Sequence, residues 1–162
     1  IKLNRTTIIE PLDKDIEIGD GSTSIEGALV DIQSGSGLIK RCTTDSCTRV
    51  LQNGTCAEHG EVDGKYDLRL KGVIDDGINV FEVILNEQTT EFLTGINLTE
   101  AEAMATEAVD TGVVLTKMRN MLIGKYYKIQ GPKFSRYLIA NEAQLLSEPI
   151  DTDSILIQAR SI

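Results

Sequence analysis

Tyr66-Asp67-Leu68-Arg69-Leu70-Lys71-Gly72-Val73-Ile74-Asp75-Asp76-Gly77, followed two residues later by Val80-Phe81-Glu82-Val83-Ile84-Leu85, carries the strongest periodicity in the chain. Tyr66, Leu68, Leu70, Gly72 and Ile74 alternate with Asp67, Arg69, Lys71 and Val73, and Val80, Glu82 and Ile84 alternate with Phe81, Val83 and Leu85. A period of two places successive side chains on opposite faces of an extended strand. Two such runs joined at Asp75-Asp76-Gly77 predict a β-hairpin, because Asp-Gly supplies the positive φ that tight hairpin turns need. One face is basic near its middle, at Arg69 and Lys71.

Immediately upstream, all three cysteines and the one histidine of the chain fall between Cys42 and His59. Cys42-Thr43-Thr44-Asp45-Ser46-Cys47, eight further residues and then Cys56-Ala57-Glu58-His59 give the spacing C-x4-C-x8-C-x2-H. Thiolate sulfur and imidazole nitrogen are the ligands tetrahedral zinc prefers, and Cys3His is a recognised structural set. Four protein ligands leave no position open for water, so the expected cofactor is one structural Zn2+ held by Cys42, Cys47, Cys56 and His59. A Cys42–Cys47 disulfide competes with this reading, but it would strand Cys56 as an odd thiol in a chain showing no secretory segment. Glu58 beside His59 does not make a zinc deaminase, whose H-x-E and P-C-x-x-C halves are both missing. Val50-Leu51-Gln52-Asn53-Gly54 reads as a hairpin whose Asn-Gly turn delivers the chain to the second ligand pair. Residues 38–62 thus form a zinc-ribbon insertion with few large apolar side chains, where metal substitutes for a core.

Further out, residues 23–33 alternate as a first long strand, with Gly27 as its bulge or bend, and Ser34-Gly35-Ser36-Gly37 as a turn. Thr6-Thr7-Ile8-Ile9 reads as a short strand. Downstream, residues 88–93 suit a helical turn, and Thr99 with Glu102 reads as a capping box opening a helix that Gly112 stops. Residues 113–123 form a further helix, ended by Gly124. Residues 125–129 return to strand, 130–136 are a loop, and Tyr137-Leu138-Ile139-Ala140 is the returning strand. Residues 143–162 read as an extended C-terminal tail suited to subunit docking.

Length and composition fit one domain, residues 1–162, with 41% hydrophobic and 25% charged residues. No apolar run reaches the ~18 residues of a membrane span, and no charged-then-apolar N-terminal segment suggests export, so the expectation is a cytoplasmic chain with no membrane partner. The net charge of −9 conceals a segregated pattern. Residues 61–112 carry three basic against twelve acidic side chains, whereas residues 113–141 carry six basic ones and no acid. Phosphate binding follows local potential, so the basic segment outweighs the total.

Five strands with helices between the third and fourth is the order of a small Greek-key barrel, the OB-fold. The expected fold is therefore mainly β: a five-stranded OB-fold barrel with a zinc-ribbon insertion between strands 1 and 2 and helices between strands 3 and 4. Such barrels hold oligonucleotides across strands 2 and 3, between the first and last inter-strand loops. Cationic residues on those elements, Arg41, Arg49, Arg69, Lys71, Lys133 and Arg136, are candidate phosphate partners. Phe81 and Phe134 are candidate stacking platforms, with Tyr66 or Tyr137 beside them. Lys117 and Arg119 fall on a helix expected away from the groove.

The runs Gly37–Cys42, Arg49–Cys56, His59-Gly60-Glu61-Val62 and Asp67–Lys71 resemble the zinc-containing OB-domain of the archaeal replication protein A large subunit, with likeness continuing through Gly124–Tyr127 and Arg136–Ala140. The eukaryotic counterpart usually has cysteine where His59 stands. The resemblance implies single-stranded DNA binding in replication, repair and recombination, partnership with other replication protein A subunits, and a nucleoid-associated place in an archaeal cell. An assembly module with little DNA contact of its own is the alternative, since the body is acidic and tryptophan is absent. An enzyme is not expected, nor a small-molecule substrate: there is no phosphate loop, no second histidine for acid–base work and no free cysteine nucleophile once zinc is placed. A zinc ribbon of transcription machinery would more often use paired C-x2-C spacings.

Overall fold

The computed structural model describes residues 22–147, so the strand expected at residues 6–9 and the tail beyond residue 147 lie outside the described residues. Strand β1 (Ser22–Ile32) pairs along its first part with β7 (Tyr126–Phe134) and from Ala28 onward with β5 (Lys65–Asp75). Gly27 sits at this switch. A Cβ there would lie 2.5 Å from the Asp75 carbonyl oxygen, so the bend needs glycine for close backbone approach. The register shift of a bulge follows between Leu29 and Asp31.

Strand β2 (Gly37–Arg41) resumes the antiparallel pairing on β5 after the turn at Ser34-Gly35, from Gly37 opposite Arg69 to Arg41 opposite Lys65. β1 and β2 are thus one barrel strand interrupted by a turn, and the Cys/His segment follows β2 and still precedes the second barrel strand. β5 pairs with β6 (Val80–Leu85), β6 runs parallel to β8 (Tyr137–Ala140), β8 pairs with β7, and β7 returns to β1. That circuit closes a five-strand barrel of OB type. β9 (Glu142–Ser147) adds an edge strand on β7, and the two-residue strands β3 (Thr55–Cys56) and β4 (Gly60–Glu61) form a separate ribbon.

Alternation decides what fills the barrel. Leu68, Leu70 and Ile74 from β5, Val83 and Leu85 from β6, Leu138 and Ala140 from β8, and Tyr127 and Ile129 from β7 are all buried in one cluster with Leu29 and Ile32. Helices α1 (Glu87–Thr94), α2 (Leu98–Ala108) and α3 (Gly112–Leu122) lie between the third and fourth barrel strands and contribute Ala101, Ala105, Val114, Met118 and Leu122 to that core. No helix among the described residues is long and apolar enough to cross a membrane.

Several local expectations are corrected. The capping box of α2 is Asn97 with Glu100, not Thr99 with Glu102: Asn97 Oδ1 accepts from Glu100 N at 2.8 Å, and Glu100 Oε1 accepts from Asn97 N at 3.0 Å. Asparagine's short amide reaches the N3 backbone as well as a hydroxyl does. Gly112 does not stop α2; Val109 closes it in a left-handed conformation (φ 52°), and Gly112 opens α3. The loop expected at residues 130–136 is mostly strand. β7 runs on to Phe134, and the turn shrinks to Ser135-Arg136, with Ser135 at φ 58°.

Candidate metal centre and nucleic-acid face

The Cys/His cluster is built by two local devices. Asn53 and Gly54 both take positive φ (54° and 78°), so Gln52 and Thr55 pair across the turn and return the chain to Cys56. At the other end, Cys42 N donates to Arg49 O and Cys47 N to Thr44 O, both at 2.8 Å, folding the first two cysteines toward each other. Cys42, Leu51 and Cys56 are buried together, with Cys47 and Val62 partly buried against them, in a cluster separate from the barrel core.

Within this segment the four ligand atoms all lie within 4.8 Å of one another. Cys42 Sγ and Cys56 Sγ each stand 3.6 Å from His59 Nδ1, and Cys47 Sγ stands 3.8 Å from Cys56 Sγ. A tetrahedral ion about 2.3 Å from sulfur and about 2.05 Å from nitrogen sets S–S edges of about 3.8 Å and S–N edges of about 3.6 Å. The three distances match those edges, and the cysteines are free rather than paired in a disulfide. The donor set and its spacing therefore fit a metal ion.

Protonation within the cluster is split: Cys42 and Cys56 are shifted toward the ligating thiolate, whereas Cys47 and His59 are shifted toward their protonated forms. The Glu58 backbone N–H, 3.4 Å from Cys56 Sγ, is the main reason the Cys56 thiol is lowered to about 6. The Thr44 hydroxyl draws the Cys42 thiol below its ordinary value. At Cys47 the Arg49 backbone N–H pulls downward, but burial and the neighbouring sulfurs outweigh it and the thiol is raised. Hydrogen bonding to Cys56 and then Cys42 raises His59.

The second candidate surface is the outer face of β5, β6 and β8. Strand parity turns Arg69, Lys71 and Val73 of β5 outward, together with Glu82 and Ile84 of β6 and Tyr137 and Ile139 of β8. Register aligns Val73, Glu82 and Tyr137 in one row and Lys71, Ile84 and Ile139 in the next. The face is thus a partly buried apolar floor crossed by charges. Lys71 Nζ lies 5.7 Å and the Arg136 guanidinium 5.0 Å from the Tyr137 ring centroid.

Each sequence-predicted cation has an internal partner. Arg41 pairs with Asp67 and donates to Thr48 O at 2.9 Å, while Arg49 reaches Glu58 at 3.7 Å beside the metal cluster. Arg69 Nε donates to Gly35 O at 2.9 Å, and burial lowers its pKa. Arg136 pairs with Glu82 at 3.3 Å. Lys133 Nζ lies 5.7 Å from the Phe81 ring, which shares the inward parity of Val83 and Leu85 and packs partly on the core. Phe134 is 67% exposed at the tip of β7, and Tyr66 lies under Lys40 at 4.8 Å. Lys71, Arg136 and Tyr137 come together, Arg69 shares their face but is held at Gly35, and Arg49 stands apart with the metal segment. Glu82, Gln33 and the floor residues Val73, Ile84 and Ile139 were not singled out from sequence. Extending the parity of Leu68 and Leu70 across the hairpin would have found Val73, Glu82 and Ile84.

No protein-family model matches the chain, and no curated protein does. Among solved structures, the chain is similar to a replication protein A heterotrimer bound to single-stranded DNA, at 12% identity and a TM-score of 0.47 over 86% of this chain and 34% of that one. It is also similar to yeast RPA bound to single-stranded DNA, at 11% identity and a TM-score of 0.47 over 85% of this chain and 84% of that one. The chain spans about a third of the length of the first of these.

Proposed function

We propose that this chain is a single-stranded DNA-binding module of a replication protein A complex, acting in DNA replication, repair and recombination, with one structural zinc in the Cys/His cluster. The observation that carries the reading is the outer face of β5, β6 and β8, where Lys71 and Arg136 lie over Tyr137 above an apolar floor, with Arg69 on the same face of β5. Sequence-tolerant single-strand binding uses this combination: cations for the backbone, and rings on which bases stack at about 1–3 kcal/mol per base. In the free protein Lys71 and Arg136 lie over the ring that a base would take. Binding exchanges those cation–π contacts for stacking and releases both cations to phosphates. The motif resemblance adds the replication context and the partner subunits.

Titrating the chain with oligo-dT at two salt concentrations tests the reading. Binding that weakens steeply with salt supports it. No binding at low salt overturns it.

The assembly reading is favoured by a different observation. Among the described residues β9 is an edge strand, and it exposes two consecutive leucines, Leu145 at 38% and Leu146 at 43%. Exposed apolar edges are templates for pairing with another chain. Loss of subunit association in a Leu145→Lys, Leu146→Lys variant that still binds oligo-dT would assign assembly to β9 and leave DNA to β5, β6 and β8.

A further inference from the structure

We infer that Glu82 makes the outer face selective for guanine, its carboxylate accepting the paired N1–H and N2–H donors of the base's Watson–Crick edge. The inference rests on the single-stranded DNA reading above.

An acid in the middle of a face meant for phosphates is a cost unless it reads something else. Glu82 occupies the central row, with Val73 opposite it on β5 and Tyr137 beside it on β8. Its side chain keeps 26% of its surface exposed. Gln33 Nε2 donates to Oε1 at 3.3 Å, and Arg136 Nε approaches Oε2 at 3.3 Å, so each oxygen is held by one long contact. An ionised carboxylate offers about four acceptor sites, which leaves capacity on both oxygens. Neighbouring strands lie about 4.8 Å apart, so a base laid on Tyr137 carries its edge over β6 and toward Glu82.

Single strands expose their Watson–Crick edges, and acceptor-only groups select donors there. Guanine alone presents two adjacent donors, which a carboxylate can take as parallel, charge-assisted hydrogen bonds. Cytosine and adenine set one amino donor beside a ring-nitrogen acceptor, and thymine flanks its N3–H with two carbonyls. Each of those acceptors repels a carboxylate oxygen. Gln33 acts as a positioning residue, holding Oε1 while Arg136 leaves for a phosphate.

The experiment compares the full chain's affinity for an all-thymine strand, the same strand with one guanine, and the same strand with hypoxanthine at that position. Hypoxanthine keeps N1–H and lacks the N2 amino group. The guanine strand should bind at least about fivefold tighter than the thymine strand, the low end of base-edge discrimination, and the hypoxanthine strand should fall between. In Glu82→Gln, an isosteric change on the outer face, the guanine and thymine strands should bind equally. Equal affinities in the unaltered chain overturn the inference and leave the DNA reading standing. A guanine preference that survives in Glu82→Gln overturns the assignment to Glu82, and hypoxanthine equal to guanine overturns the two-donor contact. Failure to bind any strand at low salt overturns both readings.

Discussion

Arg119 donates to the carbonyl oxygen of Ile32 through both Nε and Nη2, at 3.0 and 2.7 Å. Ile32 is the last residue of β1, just before the turn to β2. The guanidinium therefore ties α3 to the break in the first barrel strand. It also accounts for one of the six cations in the basic segment as a structural group rather than a phosphate contact.

Replacing Arg119 by alanine should destabilise the chain by about 1.5–3 kcal/mol, the range for hydrogen bonds from a charged group. Urea unfolding measures this, and oligo-dT affinity corrected for the folded fraction should not change. A loss of affinity without loss of stability would move Arg119 to the binding face.

Cys47→Ser should abolish stoichiometric metal binding and loosen residues 42–62 while the barrel stays folded, because the ribbon's small cluster is separate from the main core. Metal analysis should give about one equivalent for the unaltered chain and far less for the variant. Limited proteolysis should then cut within the ribbon before the barrel. Coincident unfolding of both would show that they are one cooperative unit.

Metal uptake should release protons at neutral pH. Cys56, lowered to about 6, is already mostly thiolate there, whereas Cys47 and His59 are both raised and must give up protons to ligate. Affinity should therefore rise with pH above neutrality. It should fall steeply as acidification through about 6 protonates Cys56 as well. Calorimetry in buffers of different ionisation enthalpy counts the protons; a pH-independent affinity would contradict this protonation pattern.

Tyr137→Ala should weaken oligo-dT binding by about 1–3 kcal/mol, one stacked base, with little change in salt slope. Lys71→Ala should instead lower the salt slope by about 1, one released counterion. Titrations over a salt series separate the two. Identical behaviour of both variants would mean that neither role is assigned correctly.

Gly131→Ala should be poorly tolerated. A Cβ on Gly131 would overlap the carbonyl oxygen of Ile139, and the backbone of β8 cannot yield as a side chain can. Overpacking of this kind costs about 1–3 kcal/mol, readable as a lower urea midpoint. An unchanged midpoint would mean that β7 and β8 can move apart freely.

The alternation through residues 66–85 specified the central hairpin and the side of it that is buried, because a period of two is a local property. The spacing of Cys42, Cys47, Cys56 and His59 specified the donor set, since ligand chemistry needs only four side chains within reach of two turns. Boundaries set by competition between caps were less legible: Asn97 displaced Thr99, and β7 ran through Pro132 to Phe134, where a loop was expected. Which charges share a face follows from strand pairing across the closed barrel. Lys71, Glu82, Arg136 and Tyr137 come from three strands and a turn, and the parallel pairing of β6 with β8 sets Glu82 beside Tyr137. That register depends on barrel closure, a non-local condition that no window of sequence contains.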